Sequence, residues 1–364
     1  TPKFIHLNVR STFSLLEGMP SVKKIAARIK QLGMPAVAVT DLNNMFGAVE
    51  VSKHIPAEGV QPILGMTISL RREDVDPLST TKPAPDSLTL LVQNEQGWKN
   101  IVELASKAYV ETAEDEPSQI SMAQLAEYHE GLIALTSDAT SGRPARLIRE
   151  EKVDEAEAFL KELSTLMPGR VYVELQRHGM HNEKLVEADL VELAYKLDLP
   201  LVATNDCRFL TRDQAKAHEV LMCIGAGVTI ADPNRPQLTD EHYVKSADEM
   251  AELFKDLPEA IANTVTTGSL TIPMMKKLGY KPAQAAGIEA AASTGGQIMP
   301  PIMGAGAFVM AEFTKTPYGD IVWMALVPAL LYFLSVLLYV HVLAVKGGFK
   351  GMQGQTGAWR VIVD

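Results

Sequence analysis

Cysteine is nearly absent: Cys207 and Cys223 are the only two in 364 residues. Two thiols build no disulfide framework, and neither sits in a CxxC or Cys/His zinc spacing. A reducing cytoplasm is therefore the expected setting of the front of the chain. A charged-then-apolar leader is also missing, and the start at Thr1 reads as a fragment or a trimmed start with no export signal. The front is short of positive charge. Residues 1–265 hold 27 Lys/Arg against 40 Asp/Glu, a net charge of −13, whereas residues 266–364 hold seven against four, net +3. Gripping a phosphate backbone takes clustered Lys/Arg, so the expected partner of the acidic front is protein rather than DNA.

What is present is an alternation of helix and strand patterns. Val22, Ile25, Ala26, Ile29 and Leu32 recur at helical spacing behind Ser21 as N-cap, and Gly33 and Pro35 close the helix. Ala36–Asp41 follows as a short apolar run ending in an acid, the pattern of a buried parallel strand. Further strands are expected at Val60–Leu70, Leu88–Val92, Gly131–Thr136, Val171–Leu175 and Pro200–Thr204, with helices including Val153–Leu166, Leu185–Leu197 and Ser246–Phe254. This order predicts a parallel α/β sheet or barrel. Sites in such folds sit at the carboxyl ends of strands, which here read Thr40-Asp41, Ser137-Asp138, Gln176-Arg177-His178 and Asn205-Asp206. Thr112–Ser118 reads as a solvated loop.

After Val265 the composition shifts to Ala, Gly and Met. Ile321–Val345 runs 25 residues without a charged side chain, long enough for a membrane crossing at roughly 20 residues. Tyr318 and Trp323 would anchor one end, and Lys346 and Lys350 would form a positive flank at the other. Upstream, Ser293-Thr294-Gly295-Gly296-Gln297 leads into Pro300-Pro301, a backbone break of the kind that lines a cavity at membrane depth.

His6–Ser11 with Phe13–Gly18, Ala38–Ala48, Gly59–Gly65, Asn94–Asn100, Ser106–Tyr109, Glu174–Gly179, Val202–Asp206 and Ala217–Glu219 occur in the order of signatures of one family. Over residues 1–262 the chain resembles the PHP domain of the bacterial DNA polymerase III alpha subunit. The resemblance implies a distorted (β/α)7 barrel with a metal cluster at the strand carboxyl ends, used by active members for phosphoester hydrolysis. Measured against that pattern, Asn8, Arg10, Leu42, Thr67, Ser87 and Arg208 stand where ligands are expected. Glu17, Asp41, His178 and Asp206 remain as candidate ligands for Zn or Mn. Arg10 and Arg208 cannot be deprotonated, so they are expected to fill the cations' place and pair with Asp41, Asp206 or Glu17. No cofactor is expected unless that residual set binds metal. His6 and His218 read as packed or hydrogen-bonded.

From about residue 264, Thr266–Pro273, Gly279–Pro282 and Glu289–Pro301 are similar to the fused permease, the large membrane subunit, of TRAP transporters, which import carboxylates with sodium. This resemblance extends to about Met352 and implies an α-helical membrane fragment, associated with the inner membrane through 321–345; residues 353–364 match nothing recognised. The meeting of two families at Ala262-Asn263-Thr264-Val265 reads as a chimaera.

The resemblances imply three functions. One is a replicase platform without a polymerase core, docking the proofreading exonuclease subunit and other replicase subunits, with DNA reached only through the missing core. The second is a metal-dependent PHP phosphoesterase. The third is a TRAP-type sodium/carboxylate transporter component.

Overall fold

The computed structural model describes residues 4–74 and 83–271, with scattered positions between 320 and 338. The chain divides into two compact units, Thr1–Ile272 and Pro273–Asp364. Seven strands lie in sequence order in one sheet: β1 (His6–Val9), β2 (Ala36–Leu42), β3 (Gln61–Leu70), β4 (Asp86–Val92), β5 (Leu132–Leu135), β6 (Val171–Leu175) and β7 (Leu201–Ala203). Among the described residues up to 271, ten α-helices accompany them: α1 (Val22–Gln31), α2 (Ala48–Ala57), α3 (Glu95–Val110), α4 (Met122–Tyr128), α5 (Arg143–Arg149), α6 (Val153–Leu166), α7 (His181–Lys196), α8 (Ala215–Ala226), α9 (Ala247–Leu253) and α10 (Pro258–Thr271).

The sheet is mixed rather than parallel throughout. β1, β2 and β3 pair in parallel, as do β5, β6 and β7, but β4 runs antiparallel to both neighbours. Parallel pairing needs a crossover, usually a helix, and the described residues between β3 and β4 contain none. A parallel bridge between Val9 and Cys207 joins β1 to the segment beyond β7, through Arg10 N–H to the Cys207 carbonyl at 2.9 Å and Cys207 N–H to the Asn8 carbonyl at 3.0 Å. The two edges of the sheet thus meet at the carboxyl ends, as a distorted (β/α)7 barrel requires.

The period-2 alternation of strands sorts the core. Val37 and Val39 face out under α1 and α2, while Ala36 and Ala38 face in with Ile63, Leu91, Ile133, Tyr172 and Val202. At the amino ends of the strands, α10 packs on β7. Asn263 Nδ2 donates to the Leu201 carbonyl at 2.8 Å, and Ile5 N–H donates to Thr264 Oγ1 at 3.3 Å, so the Ala262–Val265 junction lies inside one packed helix. Ser21 precedes α1 in extended conformation, but its side chain makes no capping hydrogen bond. α7 begins at His181, four residues before the expected Leu185, because Glu183 caps its own first turn through the Met180 N–H at 3.0 Å.

Gly97, in the first turn of α3, donates its N–H to Asn94 Oδ1 at 3.0 Å, and an added Cβ there would meet the Gly131 carbonyl oxygen at 1.9 Å. Backbone on both sides cannot yield cheaply. Gly97→Ala is expected to cost about 2 kcal/mol in urea unfolding.

Among the described residues no helix is long and apolar enough to cross a membrane. Most of the expected span Ile321–Val345, all of Ser293, Thr294, Gly295, Gly296, Gln297, Pro300 and Pro301, the anchors Tyr318 and Trp323, and the tail 353–364 lie outside the described residues.

Candidate functional site

The inward side chains turn polar toward the carboxyl ends of the parallel strands. Thr40 Oγ1 donates to Asn8 Oδ1 at 2.9 Å, and Asn8 Nδ2 donates to Glu174 Oε1 at 3.1 Å. Glu174 also accepts from Gln176 Nε2 at 2.9 Å, from Ser137 N–H at 3.0 Å and from the Thr204 hydroxyl. Burial raises its carboxyl above the usual range, and the hydrogen bonds from Thr204, Asn8 and Gln176 oppose that. Thr67 shares a 3.2 Å hydroxyl contact with Thr89. Because β4 is reversed, its first residues, Asp86 and Ser87, reach this same end. Ser87 Oγ lies 2.7 Å from Ser137 Oγ and 2.6 Å from Ser141 Oγ.

Above this polar belt lies a closed set of ion pairs. Asp206 Oδ1 accepts from Arg10 Nε and its Oδ2 from Arg208 Nε, each at 2.9 Å. Glu17 Oε2 accepts from Arg10 Nη1 at 2.6 Å and from Arg208 Nη1 at 3.2 Å. Two cations and two anions alternate around a ring that ties β1, the loop after it and the segment past β7. Burial alone would raise the Asp206 carboxyl, but Arg10 and Arg208 outweigh it and hold it well below the usual carboxylate range. Asp206 itself takes a positive φ of 31°, a strained backbone that its two guanidinium bonds help hold.

Asp41 is not in this ring, contrary to one of the pairings expected from sequence. The Ser11 N–H at 2.8 Å and the Ser14 hydroxyl at 2.6 Å occupy its Oδ1, and the Ser11 hydroxyl at 2.7 Å occupies Oδ2. Leu42 contributes backbone alone: its N–H donates to Ser14 Oγ at 3.1 Å and its carbonyl accepts from Asn44 Nδ2 at 2.8 Å. His178 Nδ1 lies 2.6 Å from Glu183 Oε1, and its Nε2 lies 2.8 Å from the Asn205 carbonyl, so both ring nitrogens are engaged by neighbouring groups. His6 Nε2 is 2.9 Å from the Lys245 carbonyl and His218 Nε2 is 2.6 Å from the Glu17 carbonyl, hydrogen-bonded as the sequence suggested.

Four candidate positions are thus brought together, Arg10, Glu17, Asp206 and Arg208, while Asn8 and Thr67 join the belt beneath and Asp41, Ser87 and His178 are held by other groups. A Zn or Mn ion does not fit this donor set. Both Asp206 oxygens and Glu17 Oε2 carry guanidinium groups, and both Asp41 oxygens and both His178 ring nitrogens are engaged by other neighbours. Among the described residues no group of three or more His, Cys, Asp or Glu is arranged to hold a metal ion.

Sequence reasoning missed three participants. His242 stacks on His178 with ring centroids 3.7 Å apart, and its buried Nε2 has no hydrogen-bond partner. Burial and then the neighbouring His178 push its pKa well below that of an ordinary histidine. Glu183 secures His178, and Glu174 anchors the belt. Glu174 and His178 share one sequence motif, which was a signal for Glu174. Nothing local marks His242. Beside the belt, Asp86 carries Arg143 at 2.8 Å and Arg146 at 2.5 Å, a second buried ion pair fixing α5 to β4.

Residues 6–178 match the PHP domain family. Residues 259–361 match the Tripartite ATP-independent periplasmic transporter, DctM component. The chain is 42% identical over 262 residues to the DNA polymerase III subunit alpha of Caulobacter vibrioides, covering 72% of this chain and 23% of that protein. It is also 42% identical over 267 residues to the DNA polymerase III subunit alpha of Pseudomonas aeruginosa, covering 73% and 22%. The chain therefore spans less than a quarter of the length of the curated relatives it matches. Among solved structures it is similar to an amidohydrolase from Chromobacterium violaceum, at 11% identity and a TM-score of 0.36 over 56% of this chain and 87% of that one. A two-domain protein of Bacteroides vulgatus containing a predicted PHP-like metal-dependent phosphoesterase gives 11% and 0.34, over 72% and 64%. Over residues 6–178 the chain matches the PHP domain, and over 72% of its length it is similar to DNA polymerase III alpha subunits.

Proposed function

We propose that the front of this chain is a non-catalytic platform of the DNA polymerase III alpha type, working in the cytoplasm by docking the proofreading exonuclease subunit and other replicase subunits. The observation that carries this reading is the ring of Arg10, Glu17, Arg208 and Asp206, which commits to internal ion pairs the carboxylates that a hydrolytic metal would need. The acidic front favours a protein partner over nucleic acid. A phosphoesterase reading would require Glu17 and Asp206 to exchange both guanidiniums for metal. To test docking, the chain is immobilised in mild detergent and titrated with the purified exonuclease subunit of the same cell. Saturable binding at micromolar concentration or tighter is expected, and none at that concentration contradicts the platform.

The match over residues 259–361 supports a second reading for the rear, a fragment of a TRAP-type membrane component held at the inner membrane and joined to the front as a chimaera. Amplification across residues 255–275 from independent genomic DNA is expected to give no product if the join arose in assembly. A product of the expected length overturns the chimaera.

A further inference from the structure

A strip of apolar side chains stands open at the rim of the strand carboxyl ends. Leu15, Leu16, Phe46, Val49, Val220 and Ile224 are each between 44% and 74% exposed. Asn44 Nδ2 donates to the Phe13 carbonyl at 3.0 Å, and a Cβ on Gly47 would lie 2.8 Å from the Phe13 ring. Phe46 and Val49, at the start of α2, therefore border the loop that bears Leu15 and Leu16. A Cβ on Gly225 would lie 3.0 Å from the Leu16 Cβ, so the same loop rests against α8 on its other side. Val220 and Ile224 share one face of α8, a helix that buries only His218 and Cys223. Leu16 holds a positive φ of 62°, a strained conformation that keeps a large apolar side chain in the open.

Size and charge together select the occupant. The exposed parts of the six side chains amount to roughly 600 Å², the upper end of what a monomer leaves uncovered. A standard interface takes about 800 Å² from each partner, and homodimer interfaces are about 65% apolar, so the strip supplies the apolar share of one side of a stable dimer. The exposed charges beside it are Glu50 and Lys53 on α2, and Asp213 and Lys216 where α8 begins, opposite signs in equal number within a front of net charge −13. Such a neutral border calls for neither a basic nor an acidic partner, and it is where two acidic barrels can meet with least repulsion. We infer that the strip joins two copies of this chain through an isologous interface, the same patch serving both sides of a two-fold axis. The inference rests on the strip alone and is independent of the platform reading.

The test is sedimentation equilibrium of the full chain in density-matched mild detergent. A dimer is expected at about 10 micromolar, tightening about threefold from 0.05 to 0.5 M salt as the repulsion between the acidic surfaces is screened. Leu15→Asp and Ile224→Asp, both at exposed positions, are each expected to weaken it at least about a hundredfold with the circular dichroism spectrum unchanged. A monomer at every concentration overturns the inference. So does a dimer that survives both substitutions, which would place the contact elsewhere in the chain, or one that loosens with salt. A monomer that instead binds the purified exonuclease subunit, and loses it on Leu15→Asp, assigns the strip to that partner and overturns self-association.

Discussion

Arg10→Met is expected to destabilise the chain by about 4 kcal/mol, because removing one member of a buried ion pair leaves its partner charged and desolvated. Arg10 and Asp206 side chains are only 6% and 4% exposed, and Glu17 would lose its shorter contact, at 2.6 Å, and keep the one at 3.2 Å. Arg208 remains after the change but cannot span both sets of positions, since its Nε already serves Asp206 Oδ2. The effect should appear as a lowered urea midpoint with an unchanged slope, and Arg10→Met combined with Asp206→Asn should cost less than the sum of the two single changes. Strict additivity would mean that the ring contributes nothing as a unit.

The second large effect is acid lability beginning near neutrality. Burial pushes His6 down to about 4, against a hydrogen bond to the Lys245 carbonyl that raises it. The unfolded chain, with His6 near 6.5, then binds more protons than the fold below that pH. His6 therefore contributes stability that is fully present above 6.5 and is lost as pH falls toward 4, to a total of about 3 kcal/mol. Burial lowers His218 and His242 in the same direction. Glu174 works the other way, because its raised carboxyl takes up a proton more readily in the fold as pH falls. Asp206 adds a further loss only below the ordinary carboxylate range. Urea unfolding at pH 7.5, 6.0 and 4.5 should show the midpoint falling across all three, and a flat profile between 7.5 and 4.5 would contradict the burial of neutral histidines.

Much of the barrel was legible because its strands are short apolar runs between helical patterns. The run from Ala36 became β2 and Val153–Leu166 became α6 with its bounds unchanged. β1 was hidden, since His6–Val9 is four residues long and carries a polar Asn8 in its middle. The direction of β4 was hidden too, because its residues read the same either way and only the connection from β3 decides it. At the site, the two arginines announced the kind of chemistry, but their partners depended on three dimensions. Asp41 was as good a candidate as Glu17 by charge, and it was taken instead by Ser11 and Ser14, whose hydroxyls reach it from a loop that also carries Glu17. His242 comes 36 residues after Asp206 and meets His178 only through folding.

Arg10 and Arg208, rather than a metal ion, close the cleft at the strand ends. The most direct test is the melting of the full chain in mild detergent, after purification with and without EDTA and after addition of zinc or manganese, with metal content measured on the same samples. Less than about a tenth of an equivalent of bound metal and one melting temperature in all conditions are expected. A stoichiometric ion, or a loss of several degrees with EDTA that zinc or manganese restores, would contradict closure by the arginines.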